Sequence, residues 1–207
     1  MTRTADGRKS TAGTGIAKGR VVRTDAERNI GALLTAAKAV FARSGVDAPV
    51  REIAEEAGLG VGTVYRHFPQ RSDLIAAVSR QEIATCAYAA ETLAAKYKPG
   101  EALARWLQRY VDLIAAKRGL AAALHSGDPA YNQLPAYFDE RLRPALHELF
   151  AAAVADGNVR ADVDADELLS AVGSLAMSPG DKGLARARRM VALLVDGLRF
   201  GATLPAS

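Results

Sequence analysis

The chain has 207 residues, 49% of them hydrophobic and 24% charged, which supplies a real core and excludes disorder throughout. Its 27 basic against 23 acidic residues leave a formal +4, which permits an anionic partner without marking one. A lone cysteine, Cys86, excludes an internal disulfide framework and a CxxC metal site, and no apolar run of about 18 residues is present to span a bilayer. With no signal-peptide pattern in the first 30 residues, the expectation is a cytoplasmic protein with no membrane partner.

Up to Arg23 the basic residues Arg3, Arg8, Lys9, Lys18, Arg20 and Arg23 face only Asp6, in a stretch rich in Gly, Thr and Ser without apolar periodicity. Residues 1–23 read as a flexible basic arm, either touching an anionic partner or merely solvated. From Asp25 to Ser44, Ile30, Leu33, Leu34, Ala37, Val40 and Phe41 follow the spacing of one helical face, with Thr24 or Asp25 as cap and Gly45 as stop. A short second helix spans Pro49 to Ala57, Pro49 suiting a first helical position, and Gly58 turns the chain. The third helix, Val61 to His67, ends at Phe68-Pro69. The few residues between these two helices fit only a tight helix-turn-helix corner.

A long fourth helix follows a cap at Ser72 and runs through Leu74, Ile75, Val78 and Ile83 towards Ala95. After Pro99-Gly100, Leu103, Trp106, Leu107, Tyr110, Val111 and Ile114 mark another apolar stripe. Ser126 to Pro129 is turn-rich, and Pro135 to Ala155 reads as a helix that Pro144 must kink or restart. Asp164 or Asp166 caps a helix carrying Leu168, Leu169, Val172 and Leu175. Ser178-Pro179-Gly180 precedes a last helix with Leu184, Ala187, Val191, Leu194, Val195 and Leu198 on one face. No alternating runs or fixed repeats occur, so the fold class is all-α with about nine helices. The expected organisation is an arm, a DNA-binding head over 24–85 with its helix-turn-helix at 49–68, and a body over 86–201.

A major groove about 12 Å wide admits one α-helix, which in a helix-turn-helix is the second of the pair. Ile53, Ala54, Ala57, Leu59, Val64 and Phe68 are the expected packing set, leaving Thr63, Tyr65, Arg66 and His67 on the other face. Gly62, without a side chain, lets the backbone approach DNA. Arg51 is a further phosphate candidate, or an ordinary solvated arginine.

The stretch Val50 to Gly58 followed by Val61 to Phe68 resembles the N-terminal domain of the tetracycline-repressor (TetR) family. The similarity extends in register from Phe41-Ala42-Arg43-Ser44-Gly45 to Arg71-Ser72-Asp73-Leu74. The resemblance implies that Tyr65 and His67 grip the phosphate backbone and that Arg71 takes the place of a phosphate-clamping lysine. Arg66 could read guanine instead. Gly60 stands where a capping serine is frequent and Val61 where a basic residue often reads bases, so the base code of better-known members does not carry over to this chain.

The same resemblance implies a body that binds a small-molecule inducer and dimerises through its last two helices, so that the homodimer meets a palindromic double-stranded operator. Tyr88, Trp106, Tyr110 and Phe138 either line the inducer cavity or fill ordinary core. Leu168, Val172, Leu175, Leu184, Val191, Leu194, Val195 and Leu198 are the expected dimer face. Gly58 to Gly62 is no phosphate loop, because it follows a helix and not a strand. His125 and His147 lack metal-ligand spacing, and the acids Asp162, Asp164, Asp166 and Glu167 suit a helix start. No cofactor, metal site or catalytic set is expected. The alternatives are a ligand-independent regulator or activator of the same fold and, more remotely, an enzyme.

Overall fold

The computed structural model describes residues 14–118, 120–177 and 183–200, and for residues 14–27, 118, 121, 122 and 200 the backbone alone. Residues 1–13 of the expected arm and the Ser178-Pro179-Gly180 break lie outside the described residues. Every regular element among those described is helical.

Helix α1 (Thr14–Ser44) begins well before the expected start at Asp25, so residues 14–23 are not an irregular arm. Absent apolar periodicity argues against burial, not against helicity, and a helix once nucleated gains one hydrogen bond per added residue. Gly45 ends α1 at φ 81°, and its N–H donates to the Phe41 carbonyl at 3.1 Å. Helix α2 (Val50–Glu56) has Pro49 as its extended N-cap, not as its first helical residue. Gly58 turns at φ 65° into α3 (Val61–His67), whose bounds match expectation.

Helix α4 (Arg71–Lys96) is capped by Gln70 and not by Ser72: the Gln70 N–H donates to Asp73 Oδ2 at 3.0 Å in a capping box. Pro99 opens α5 (Pro99–Arg118), and α6 (Ala121–Leu124) and a 3-10 turn at Pro129–Tyr131 follow. Helix α7 (Leu134–Ala155) runs on through Pro144, which sits on its exposed side. Asp164, not Asp166, caps α8 (Ala165–Ala176), accepting from the Asp166 and Glu167 N–H groups. Helix α9 (Gly183–Phe200) closes the described chain.

Two apolar cores result. The first gathers Leu33, Ala37, Val40 and Phe41 of α1, Ile53 and Ala54 of α2, Val64 of α3 and Leu74, Ile75 and Val78 of α4. The second surrounds α5, which α4, α7, α8 and α9 pack against, with Trp106, Leu107 and Val111 fully covered. Helix α4 thus serves both, changing allegiance between Val78 and Ile83. The first core also takes in Tyr131 and Leu134 from the body segment, so the head does not close on its own residues alone.

Candidate nucleic-acid interface and ligand cavity

The helix-turn-helix is built as its packing set requires. Ile53, Ala54 and Val64 are buried, while Ala57, Leu59 and Phe68 are half-buried against the same core. The Leu59 N–H donates to the Ala54 carbonyl at 2.9 Å and fixes the turn. Arg43 reaches Glu52 at 2.9 Å and Glu56 at 3.3 Å, and the Ser44 hydroxyl donates to Glu52 at 2.9 Å, fastening α2 to the end of α1. The Arg43 hydrogen bond, then that from Ser44, hold the Glu52 carboxyl below its ordinary pKa.

On the other side of α3, Tyr65 is 52% exposed, Arg66 and Val61 are exposed, and Thr63 and His67 are half-exposed. Around Gly60 and Gly62 a methyl group would meet nothing within 4 Å, so no neighbour in the subunit demands a glycine there. Arg51 is exposed and donates to Glu55 at 3.0 Å one turn on. Arg71 stands apart from the rest: its guanidinium donates to the Val46 carbonyl and, at 2.7 Å, to the Ala48 carbonyl. Half-buried, it pins the loop between α1 and α2 to the start of α4 with two of its five N–H donors. No sequence-local signal could have found that bond, which joins positions more than 20 apart.

The body holds a cavity of about 500 Å³, walled by Ser79 and Ile83 of α4, Ile114 and Lys117 of α5, Leu124 and His125, Tyr131, Leu134, Phe138 and Asp139 at the start of α7, and Gly173 and Met177 of α8. That size suits a small organic molecule. Of the four aromatics expected there, Phe138 alone lines it. Trp106 is 0% exposed, stacks on Tyr110 at 5.8 Å between ring centroids and donates its indole N–H to the Cys86 carbonyl at 2.9 Å. Tyr110 packs on Phe138 at 6.0 Å, so the pair fills the core beside the cavity. Its hydroxyl would lie 3.1 Å from a methyl group on Gly173, and the absent side chain leaves room for it. Tyr88 is 66% exposed on a separate surface cleft with Glu91, Glu140 and Arg141. Burial pushes the Cys86 thiol up to about 12, keeping it protonated and unreactive.

Comparison with known proteins places this geometry. Residues 33–78 match the model of bacterial regulatory proteins of the tetR family, and residues 98–200 match the C-terminal domain of SbtR-like transcriptional regulators. A TetR transcriptional regulator from Streptomyces coelicolor is 37% identical, with a TM-score of 0.72 over 82% of this chain and 98% of that one. The chain belongs to the TetR family. A TetR-family regulator from Mycobacterium vanbaalenii is also 37% identical, with a TM-score of 0.67 over 86% of this chain and 99% of that one. A gamma-butyrolactone receptor described as ArpA-like is 25% identical, with a TM-score of 0.55 over 82% and 85%. No curated protein sequence matches. As a TetR-family member the chain is a DNA-binding transcriptional regulator.

In this TetR-family body, much of the expected dimer face is internal. Leu168, Val172, Val191, Val195 and Leu198 are buried within the subunit. Helix α9 turns that side towards α5, to which it is tied by Arg188 on Asp112 at 2.7 Å and by Gln108 on the Arg188 carbonyl at 3.1 Å. Leu175, Leu184 and Leu194 are half-exposed. Leu168, Leu175, Leu194 and Leu198 of that expected face nevertheless line a groove of about 630 Å³ between α8 and α9, to which Ala171, Met190, Gly197 and Leu193, the last 64% exposed, add residues the sequence reading missed. Among the described residues no helix is long and apolar enough to cross a membrane, and no group of three or more His, Cys, Asp or Glu could hold a metal. His147 instead faces Asp166 at 3.0 Å.

Proposed function

We propose that this regulator is a cytoplasmic repressor that holds a palindromic operator as a two-fold dimer and lets go when a small molecule enters the cavity beside Phe138. The observation that carries the reading is a shared wall: Leu124, Tyr131 and Leu134 line the cavity and also pack against the head's core. A ligand that touches them acts on the same side chains that steady Leu74, Ile75 and Val78 at the DNA end of α4. Arg71 then passes any shift of α4 to the loop before α2. The ligand acts only through the difference in its affinity for the DNA-competent and released conformations. An open cavity where the core could have been filled speaks for this over a ligand-independent regulator, and the likeness to a gamma-butyrolactone receptor agrees with it.

The exposed groove between α8 and α9 is the proposed dimer face, since pairing it with a twin covers Met190 and Leu193 from water. Two α3 helices then stand about one DNA turn apart, roughly 34 Å, and require a palindrome. On each, Tyr65, His67, Thr63 and the backbone at Gly60 and Gly62 meet phosphate. Arg66 and Val61 face base edges, and Arg51 sits at the periphery.

DNA selected on the protein from a random library, followed by titration with and without cavity ligands found by thermal-shift screening, tests the proposal. A palindromic consensus and at least tenfold weaker binding with ligand are expected. A ligand that occupies the cavity and leaves DNA affinity unchanged would overturn release, and binding by a monomer would overturn the dimer.

A further inference from the structure

We infer that the cavity takes a small organic anion, an apolar body ending in one carboxylate, with Lys117 as its counter-charge and the Ser79 hydroxyl as a second donor. This rests on the ligand-release reading above and specifies its ligand.

The walls set the body of the molecule. Ile83, Ile114, Leu124, Leu134, Phe138 and Met177 offer hydrocarbon and one aromatic face, a lining that rewards burial of apolar area and nothing more specific.

The polar groups set its head. Ser79 is the one buried polar residue among those described, 5% exposed, and its Oγ has no hydrogen-bond partner. A serine inside a helix ordinarily returns its proton to the carbonyl one turn back, as Ser170 and Ser174 do here at 2.9 Å. Ser79 does not; its Oγ is closed off from the cavity as it stands, and because a buried donor left unpaired is costly, a χ1 rotation that brings the hydroxyl to an acceptor on a ligand relieves that cost.

Lys117 supplies the charge. Its ammonium lies 4.0 Å from the centre of the Phe138 ring and has no carboxylate within 4.0 Å among the described residues. Burial lowers its pKa, with Asp139 opposing from a distance. Asp139 itself is held by Arg143 at 3.2 Å, an arginine it shares with Asp166 at 2.8 Å, and makes no direct ion pair with the Lys117 ammonium. Tyr131 and His125 complete the polar lining. A desolvated cation without a counter-ion, beside a hydroxyl without an acceptor, is matched by a ligand group that accepts and carries negative charge. With Lys117 the one lysine or arginine among the described residues of a largely hydrocarbon wall that also carries Asp139, a monoanionic carboxylate fits and a phosphate dianion does not.

The test uses matched pairs on the full chain by calorimetry near neutral pH: 4-phenylbutanoate against 4-phenylbutanamide, and octanoate against 1-octanol. The acids should bind at least about tenfold more tightly than their neutral partners. Lys117→Met keeps a side chain of similar length and the apolar contact with Phe138. It should weaken the acids about 10- to 100-fold, leave the amide and alcohol unchanged, and unfold at the wild-type denaturant midpoint or above it. Ser79→Ala should weaken acids and neutral compounds alike by a few-fold. Equal binding of acid and amide, an acid preference that survives Lys117→Met, or failure of every acid to bind at millimolar concentration overturns the inference. Release of selected DNA separates the two claims. An acid that binds through Lys117 without loosening DNA upholds the ligand class and sinks ligand release, whereas a neutral compound that releases DNA from this cavity, where acids do not, sinks the class and upholds release.

Discussion

The head and the body use their cores in opposite ways. In the head, Leu33, Ala37, Val40, Ile53 and Val64 pack into a core that Tyr131 and Leu134 of the body complete, and the side chains offered to a partner, Tyr65 and Arg66, stand outside on α3. In the body, a larger core stops short at Ser79, Phe138 and Gly173 and leaves a chamber within it. A reader of DNA must hold its side chains in fixed register, which a closed core and the Arg43, Glu52 and Glu56 ties enforce. A sensor must keep two arrangements close in energy, which a filled core resists. Variants can therefore damage one region and spare the other.

The largest effect is expected in the body's filled part. Trp106→Ala removes a fully buried indole, its stacking on Tyr110 and its bond to the Cys86 carbonyl, and should destabilise by about 3–5 kcal/mol in chemical denaturation. If Trp106 instead bordered the chamber, the loss would be small and ligand binding would change first.

Next is the paired change Thr63→Ala with Tyr65→Ala on the outer face of α3. Selected DNA should bind about 100-fold more weakly while the unfolding free energy stays within about 0.5 kcal/mol, because neither side chain is buried. Intact DNA binding by this variant removes α3 as the reading helix.

Arg71→Met distinguishes a clamp on DNA from a clamp on the protein. Losing the bonds to the Val46 and Ala48 carbonyls should cost about 1–3 kcal/mol of stability and weaken DNA binding with it. Weaker DNA binding at unchanged stability, with a shallower salt dependence, would return Arg71 to the phosphate backbone.

Gly62→Ala should separate folding stability from DNA contact at a single position. The added methyl meets nothing in the subunit and favours the helix, so stability should hold or rise by about 0.5–1 kcal/mol, while DNA affinity falls several-fold as the backbone is held off. Undiminished affinity would show that α3 does not approach DNA at this point.

The head was the more legible region in sequence, and the reason is physical. Apolar spacing reports burial, so Ile53, Val64 and the bounds of α3 follow from it directly. The same signal says that Trp106 and Tyr110 are buried without saying whether the space beside them is filled, and an absent side chain such as Gly173 is silent in any periodic pattern. On α9 the stripe is wide enough for two partners: Val191 and Val195 face α5 while Met190 and Leu193 face outward, and spacing cannot tell which neighbour covers which edge. The Arg71 bonds, the Arg188–Asp112 pair and the 3-10 turn that gives Tyr131 to the head depend on which helices meet, which local sequence does not encode.

The smallest effect expected lies at the junction of α7 and α8, and acid should expose it. Asp166 accepts from His147 at 3.0 Å and Arg143 at 2.8 Å, and these two, His147 first, hold its carboxyl below the ordinary 3.8. Because folding lowers that pKa, the unfolded chain binds more protons in the interval between the two values. The contribution of Asp166 is therefore whole above the ordinary carboxylate range and fades as pH falls through its lowered pKa. Both partners are solvent-exposed, so screening keeps the contribution small, and it should shrink further at high salt. Asp166→Asn should consequently shift the denaturation midpoint slightly at neutral pH and not at all in strong acid. Arg143, freed from Asp166, still holds Asp139, so binding of carboxylates near Lys117 should be unchanged. A variant that altered ligand binding as well would mean that the α7–α8 junction and the chamber behave as one unit, and that the body's opening is held by more than the side chains lining it.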